Sequence, residues 1–290
     1  MLSHAERALT EAGVASPRTD AEVLLAHVLD VPRGRLLLVD ELPVAKRHHY
    51  EQLVARRAAR EPLQHLTGRV AFRGVELAVG PGVFVPRPET EPLAGWAGDA
   101  LRRLLADAVR EPVAVDLCAG SGAIAAALAD EVPGARLHAV EASPAAYAYA
   151  ERNLRGTGVD LRLGDIEQTC GDLDGTVDVV VANPPYIPLG AFESVQIEAR
   201  AYDPAVALWS GTDGLDAVRA VERAAARLLR PGGVLGCEHA DVQGGSVPAI
   251  LAGAGRWAEV CDHDDLAGRS RFTTAVASSP VAGWHDGRRE

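Results

Sequence analysis

The chain has 290 residues, 48% of them apolar and 24% charged, with a formal net charge of −11. This is enough for one large folded unit or two smaller ones, and too apolar for a disordered chain. No apolar run approaches the roughly 20 residues of a membrane span, and Glu6, Arg7, Glu11, Arg18, Asp20 and Glu22 interrupt any secretory leader, so a cytoplasmic protein is expected.

The charge is unevenly shared. Residues 1–80 carry 11 Lys+Arg against 10 Asp+Glu, whereas residues 81–290 carry 18 against 30. An acidic second part argues against stable nucleic-acid binding, which needs clustered cations. The basic group His48, His49, Arg56, Arg57 and Arg60 reads as a solvated helix face, with an RNA-rich neighbour as the alternative. The four cysteines (Cys118, Cys170, Cys237, Cys261) are scattered, so reduced thiols are expected, with neither disulfide frame nor metal site.

In chain order, Ser3-x-x-Glu6 suggests a capping box opening a short helix that ends near Gly13. Ser16-Pro17 opens a second helix, whose Ala21, Leu24, Leu25 and Val28 repeat at helical spacing. A third starts at Pro43 and runs to about Arg60, so residues 1–68 read as a helical domain. Residues 61–68 break the helical pattern, and residues 69–88 read as a β-hairpin linker turning at Arg73-Gly74. Pro86 and Pro88 hold an extended segment before a helix from Glu89 to about Val109, which would fix Arg87 and Glu89 at a site mouth or simply begin a helix.

Strands at 113–118, 136–141, 159–163, 177–182, 233–238, 257–262 and 270–277 alternate with helices at 122–131, 143–155 and 213–230. That predicts an α/β fold over residues 89–277: a doubly wound, Rossmann-like, mostly parallel sheet whose last strands form an antiparallel edge. Residues 278–290 read as a polar tail.

The segment 113–125, VAVDLCAGSGAIA, is strand, glycine turn and helix, with Gly120, Gly122 and Ala125 in the nucleotide-binding spacing. Glu141 follows Gly122 by 19 residues at the end of a strand, where a carboxylate accepts ribose hydroxyls. Nicotinamide, flavin and S-adenosylmethionine are all open as ligands. Asp116, just before the turn, would repel a pyrophosphate but suits an ammonium or sulfonium. Asp165 and Ile166 offer an acceptor and an apolar contact for adenine, or form a surface turn.

The strand-like run 177–182, apolar apart from Asp178, ends in Asn183-Pro184-Pro185-Tyr186. Two prolines stop both sheet and helix. The loop offers the Asn183 side-chain oxygen and the Pro184 carbonyl, two acceptors that match the two N–H groups of a planar –CONH₂ or –NH₂, and Tyr186 can pack on its face. A plain proline turn would also use these residues.

Taken together, VPRPETE, DLCAGSGAIA, Glu141, Gly164-Asp165 and NPPYIP resemble the peptide chain release factor N5-glutamine methyltransferase family. The joint EPLQHLTG and the stretches YDPAVALWSGTDGL and CEHADVQGG extend the resemblance over nearly the whole chain. Cys118-Ala119 departs from the Gly-Thr more usual in the family. The resemblance implies S-adenosylmethionine as cofactor and the glutamine of the Gly-Gly-Gln loop of class 1 release factors as substrate. It implies that Asn183 and Pro184, with Pro185, Tyr186, Arg87 and Glu89 around them, hold the glutamine. Glu141 would hold the ribose, Asp116 and Cys118, Ala119, Gly120, Ser121 and Gly122 the methionine end, with Asp165, Ile166 and Asn183 completing the cofactor site.

An amide nitrogen is a poor nucleophile because its lone pair is conjugated. Two acceptors on its hydrogens would aim that lone pair at the sulfonium methyl, and such positioning is worth about 7–11 kcal/mol when alignment is good. A ribosomal-protein glutamine or a nucleic-acid amino group are alternative acceptors. An NAD-dependent oxidoreductase would leave NPPY unexplained, and a non-catalytic cofactor-binding module would leave half the site idle. Residues 1–68 are expected to dock the protein substrate.

Overall fold

The computed structural model describes residues 1–38, 43–107 and 111–278. The expected polar tail from 279 onward and the expected helix end at Val109 lie outside the described residues.

Helices α1 (Leu2–Glu11), α2 (Pro17–Leu29), α3 (Val44–Ala58) and α4 (Leu63–Thr67) share a core of their own around Leu9, Leu24, Tyr50 and Leu53. Tyr50 spans it, its hydroxyl donating to the Ala21 carbonyl at 3.1 Å. Three local expectations need correction. The first helix starts at Leu2, with Met1 as N-cap and no side-chain cap, so Ser3 lies inside it and forms no capping box. Residues 63–67, read as a break, form a single helical turn that closes on Gly68 in the left-handed conformation.

The third correction concerns the basic group in and after α3: His48, His49 and Arg56 are exposed as a solvated face requires, but Arg57 is buried and Arg60 half-buried. Arg57 is only 6% exposed and pairs with Asp20 at 2.8 Å, and Arg56 binds Glu61. Arg57 and Arg60 both reach Glu198 on α8 (Ile197–Tyr202), at 3.0 and 2.8 Å. A charge run reads as solvated only while its distant partners are unseen.

Strands β1 (Arg69–Phe72) and β2 (Val75–Ala78) form the expected hairpin, with Arg73 at positive φ in its turn. Beyond it lies a sheet of seven strands: β3 (Val113–Leu117), β4 (Arg136–Glu141), β5 (Asp160–Leu163), β6 (Val177–Ala182), β7 (Leu229–Glu238), β8 (Trp257–Asp264) and β9 (Ser270–Ala277). Their order is β5-β4-β3-β6-β7-β9-β8, parallel except for β9, which runs antiparallel to both β7 and β8.

Every residue of β3 and β6 is buried, as strands covered on both faces must be. Alternation assigns the faces. Ala114, Val179 and Val181 pack with α5 (Glu91–Ala106), α6 (Ala123–Glu131) and α7 (Pro144–Asn153). Val115, Leu117 and Val180 pack with α9 (Asp216–Leu228) and α10 (Ser246–Gly253). Strand β7 begins four residues before its expected start at 233, because Leu229 already pairs with Val177, ahead of an irregularity in which residues 230–233 have no register partner.

Candidate active site

Pairing register brings the two main motifs together. Leu117 lies opposite both Val140 and Ala182, so the next residues on three adjacent parallel strands are Cys118, Glu141 and Asn183. All leave the sheet at its carboxyl end, where the strand order turns and a crevice opens. There a cavity of about 300 Å³ is walled by the glycine turn, Glu141, Asp165-Ile166 and the loop from Asn183 to Ile187.

On the glycine-turn side, Cys118, Ala119, Gly120 and Ser121 line the cavity and Gly122 does not. Gly120 sits at φ +58°, and a Cβ there would meet nothing within 4 Å, so the backbone is bare where a ligand approaches. Gly122 caps α6 instead, its hydrogen facing Leu154. Cys118 takes the left-handed conformation at φ +63°, which costs a non-glycine residue about 1–2 kcal/mol. The usual glycine would not bear that cost. Burial pushes the Cys118 thiol well up, which favours its neutral form at the cavity wall.

Glu141 grips its surroundings before any ligand arrives. Its Oε2 accepts from the Gly120 N–H and its Oε1 from the Ser143 N–H, both at 2.7 Å. Each oxygen keeps a lone pair for a diol at the cavity wall. Burial raises its pKa, and the N–H groups of Ser143, Gly120 and Ala142 oppose that shift.

Asp116 lies beneath the turn and does not reach the cavity wall. Its Oδ2 accepts from the Ala125 N–H at 3.2 Å, and its buried Oδ1 has no partner among the described residues. Burial pushes its pKa up to about 8. An orphaned acid beside a bare glycine backbone, with Glu141 close by, fits a cationic nucleoside such as S-adenosylmethionine better than a pyrophosphate.

Asn183, Pro184, Pro185 and Tyr186 all line the same cavity. Asn183 Nδ2 donates to Thr90 Oγ1 at 3.1 Å, which leaves its Oδ1 for a ligand. The Tyr186 hydroxyl donates to Glu238 Oε1 at 3.3 Å. The Tyr186 carbonyl accepts from Gln243 Nε2 at 3.0 Å, and that amide also reaches the Gly214 carbonyl. Gly214 is required where it stands, since a Cβ would lie 2.4 Å from the Tyr186 oxygen. The stretches 202–215 and 237–245 therefore brace the Asn-Pro-Pro-Tyr loop from behind.

Arg87 and Glu89 do not line the cavity. Arg87 lies over the Phe84 ring, 5.1 Å from its centroid, and binds Asp203 at 2.8 Å, tying two segments of the rim together. The helix expected at Glu89 begins at Glu91, after a 3-10 turn over Pro88–Thr90.

Sequence reasoning missed Thr90 and Glu238, which stand behind Asn183 and Tyr186, and the apolar walls Phe84, Val206 and Leu208. It also missed Asn153. That side chain holds Ala78 through 2.8 and 3.0 Å bonds and donates to the Ser121 carbonyl at 2.9 Å, joining the hairpin to the glycine turn. Buried polar residues at the ends of two elements were the available signal.

Known proteins share this arrangement. The PrmC N-terminal domain family matches residues 1–68, and the methyltransferase small domain family matches residues 97–199. A release factor glutamine methyltransferase of Streptomyces coelicolor is 57% identical over 96% of this chain and 98% of its own. The protein of that name from Mycolicibacterium smegmatis is 47% identical over 95% and 96%. A Streptomyces pristinaespiralis 4-amino-L-phenylalanine/4-methylamino-L-phenylalanine methyltransferase is 45% identical over 88% and 87%. With similarity of this extent running through both the helical and the sheet portions, the chain belongs to the release factor glutamine methyltransferase family.

Proposed function

We propose that this protein transfers a methyl group from S-adenosylmethionine to the side-chain amide nitrogen of the glutamine in the Gly-Gly-Gln motif of class 1 peptide chain release factors. The observation that carries the reading is the orientation of Asn183. Its NH₂ is held by Thr90, which leaves its oxygen for the cavity that Pro184, Glu141 and the glycine turn also line.

When bound, the cofactor supplies an electrophilic methyl group on a sulfonium. Glu141 would hold the ribose, Cys118, Ala119, Gly120 and Ser121 would lie along the methionine end, and Asp165 and Ile166 would face the adenine. Asp116, raised to about 8 by burial, would carry negative charge from below the turn only once the sulfonium favours its ionised form. Asn183 Oδ1 and the Pro184 carbonyl would each take one amide hydrogen, turning the nitrogen's lone pair toward the cofactor and favouring the positive charge that develops there. Pro185 stiffens the loop, and the Tyr186 ring, anchored by its hydroxyl, packs against the amide plane.

Arg87 acts on the rim through Asp203, and Glu89 lies in the 3-10 turn that follows it. We assign residues 1–68 to substrate docking, 69–88 to the linker and 89–277 to methyl transfer. A role in translation termination would put the enzyme in the cytoplasm.

The test is methyl transfer from labelled S-adenosylmethionine to a panel. The panel contains a class 1 release factor, the same factor with its motif glutamine replaced, a ribosomal protein, DNA and 4-amino-L-phenylalanine. Label in the intact release factor alone is the expected result. Label in the ribosomal protein, DNA or the amino acid, with none in the release factor, would overturn the assignment.

A further inference from the structure

Asn183 serves a substrate amide only if its own carboxamide is turned the right way. Its oxygen must face the cavity, because the reverse orientation sets N–H against N–H. The two orientations have nearly the same shape, so packing alone cannot choose between them. The groups behind the loop make the choice. Asn183 Nδ2 donates to Thr90 Oγ1 at 3.1 Å, and Thr90 is 4% exposed. A hydroxyl has one hydrogen, so its sense depends on the next group in line. That group is Glu238 at the end of β7, 2% exposed. Tyr186 donates to its Oε1 at 3.3 Å. Its buried Oε2 has no hydrogen-bond partner among the described residues, and Thr90 is among the groups that lower its pKa.

We propose that Thr90 and Glu238 are positioning residues that fix the Asn183 carboxamide with Oδ1 facing the cavity, an inference that rests on the methyl-transfer reading above. An ionised carboxylate only accepts, so Glu238, which already takes the Tyr186 hydrogen on Oε1, keeps its unpartnered Oε2 as the acceptor for the Thr90 hydrogen. With its hydrogen committed, the Thr90 oxygen can only accept, and Asn183 must offer Nδ2. Polarity then runs in one sense from a buried charge to the substrate-facing oxygen.

Protonation of Glu238 removes that sense. The carboxyl can then donate, the Thr90 hydroxyl can turn to Asn183, and both carboxamide orientations become acceptable. Burial pushes Glu238 up to about 7; Thr90, Arg271 and Tyr186 pull it down, and Glu89 pushes it up. Arg271 is itself held by Asp265 at 3.2 Å. The change of sense therefore falls near neutral pH.

The full chain with Thr90→Val, Thr90→Ser or Glu238→Gln tests this. The measurements are single-turnover methylation of the release factor from about pH 6 to about 8.5, cofactor affinity by calorimetry, and melting. Thr90→Val is expected to slow the transfer step at least about tenfold, with cofactor affinity and the KM for release factor within about twofold. Thr90→Ser, which keeps the hydroxyl, is expected to restore most of the rate. Glu238→Gln is expected to lose an acid limb that wild type shows near Glu238's pKa. Wild-type turnover in Thr90→Val, or Thr90→Ser no better than Thr90→Val, would overturn the proposal.

A nuclear Overhauser contact between the Asn183 side-chain NH₂ and the Thr90 methyl is independent of substrate. It is expected in wild type and weakened in Glu238→Gln. If it is present but release factor is not methylated, the substrate reading fails and the positioning stands. If methylation proceeds and the contact is absent in wild type, the positioning fails.

Discussion

Arg87 pairs with Asp203, Nη2 to Oδ2 at 2.8 Å, and the two are unequally placed. The Asp203 side chain is fully buried while that of Arg87 is 31% exposed. Burial pushes the Asp203 carboxyl up to about 6, with Arg87 acting against that shift. Removing the arginine leaves the acid to protonate or to remain charged without a partner. Arg87→Ala is expected to cost up to about 3 kcal/mol, the low end for stripping a buried charge of its partner, because protonation offers relief. Asp203→Asn should recover much of that loss when combined with Arg87→Ala. Denaturant titration of the two single variants and the pair checks this, and additive losses would contradict it.

The buried carboxyls set a pH dependence. Asp116, Glu238 and Asp203 are all raised, to about 8, 7 and 6, in each case chiefly by burial. A raised carboxyl binds its proton more tightly folded than unfolded, so it favours the folded state at low pH. That contribution is lost as pH rises from the ordinary value near 4 through the folded value. Glu198 works in the opposite direction. Burial pushes it up, but Arg60, its own backbone and Arg57 bring it down to about 2, so its contribution is lost as pH falls below about 4. Ligand-free protein is therefore expected to melt highest near roughly pH 5 and to lose stability toward about pH 8. A melting temperature that rises steadily across that interval would contradict these assignments.

Glu198 also joins the helical residues to the rim of the cavity. It binds Arg57 and Arg60 at its side chain, and helix α8, on which it sits, leads directly to Asp203 and Pro204. Glu198→Ala is expected to destabilise by about 1.5–3 kcal/mol, the range for hydrogen bonds to charged groups. It is expected to weaken methylation of intact release factor more than it weakens cofactor binding. Calorimetry with cofactor and methylation at limiting release factor separate the two effects. Equal losses in both would mean that the clasp serves stability alone.

Glu141→Ala is expected to weaken S-adenosylmethionine binding by about 1.5–3 kcal/mol. Because Glu141 also holds the Gly120 and Ser143 N–H groups, Glu141→Gln is the cleaner variant. It keeps one acceptor, and its affinity should lie between wild type and Ala. Unchanged affinity in a folded Ala variant would remove Glu141 from the cofactor site.

Legibility followed chain distance. Strands β3 and β6 were readable because burial on both faces leaves a run that is apolar but for one aspartate in each, and Glu141 and Asn183 because each stands at the end of a strand. Thr90 reads in the sequence as the start of a helix, and its partner Asn183 is 93 positions away. Arg60 reads as solvated because Glu198 lies 138 positions off. Helices α4 and α8, of five and six residues, are too short to show a period. Gly122 was expected at the cofactor because spacing alone cannot separate a glycine that admits a ligand from one that admits Leu154.

The most direct measurement is tandem mass spectrometry of a class 1 release factor incubated with S-adenosylmethionine and wild-type, Asn183→Ala or Asn183→Asp protein. Wild type is expected to place one methyl group on the side-chain nitrogen of the Gly-Gly-Gln glutamine. Asn183→Ala should do so about 10²–10³-fold more slowly, as for loss of one preorganised partner. Asn183→Asp, which keeps an acceptor, should fall between them. A methyl group on any other residue, or near-normal rates in both variants, would contradict the account.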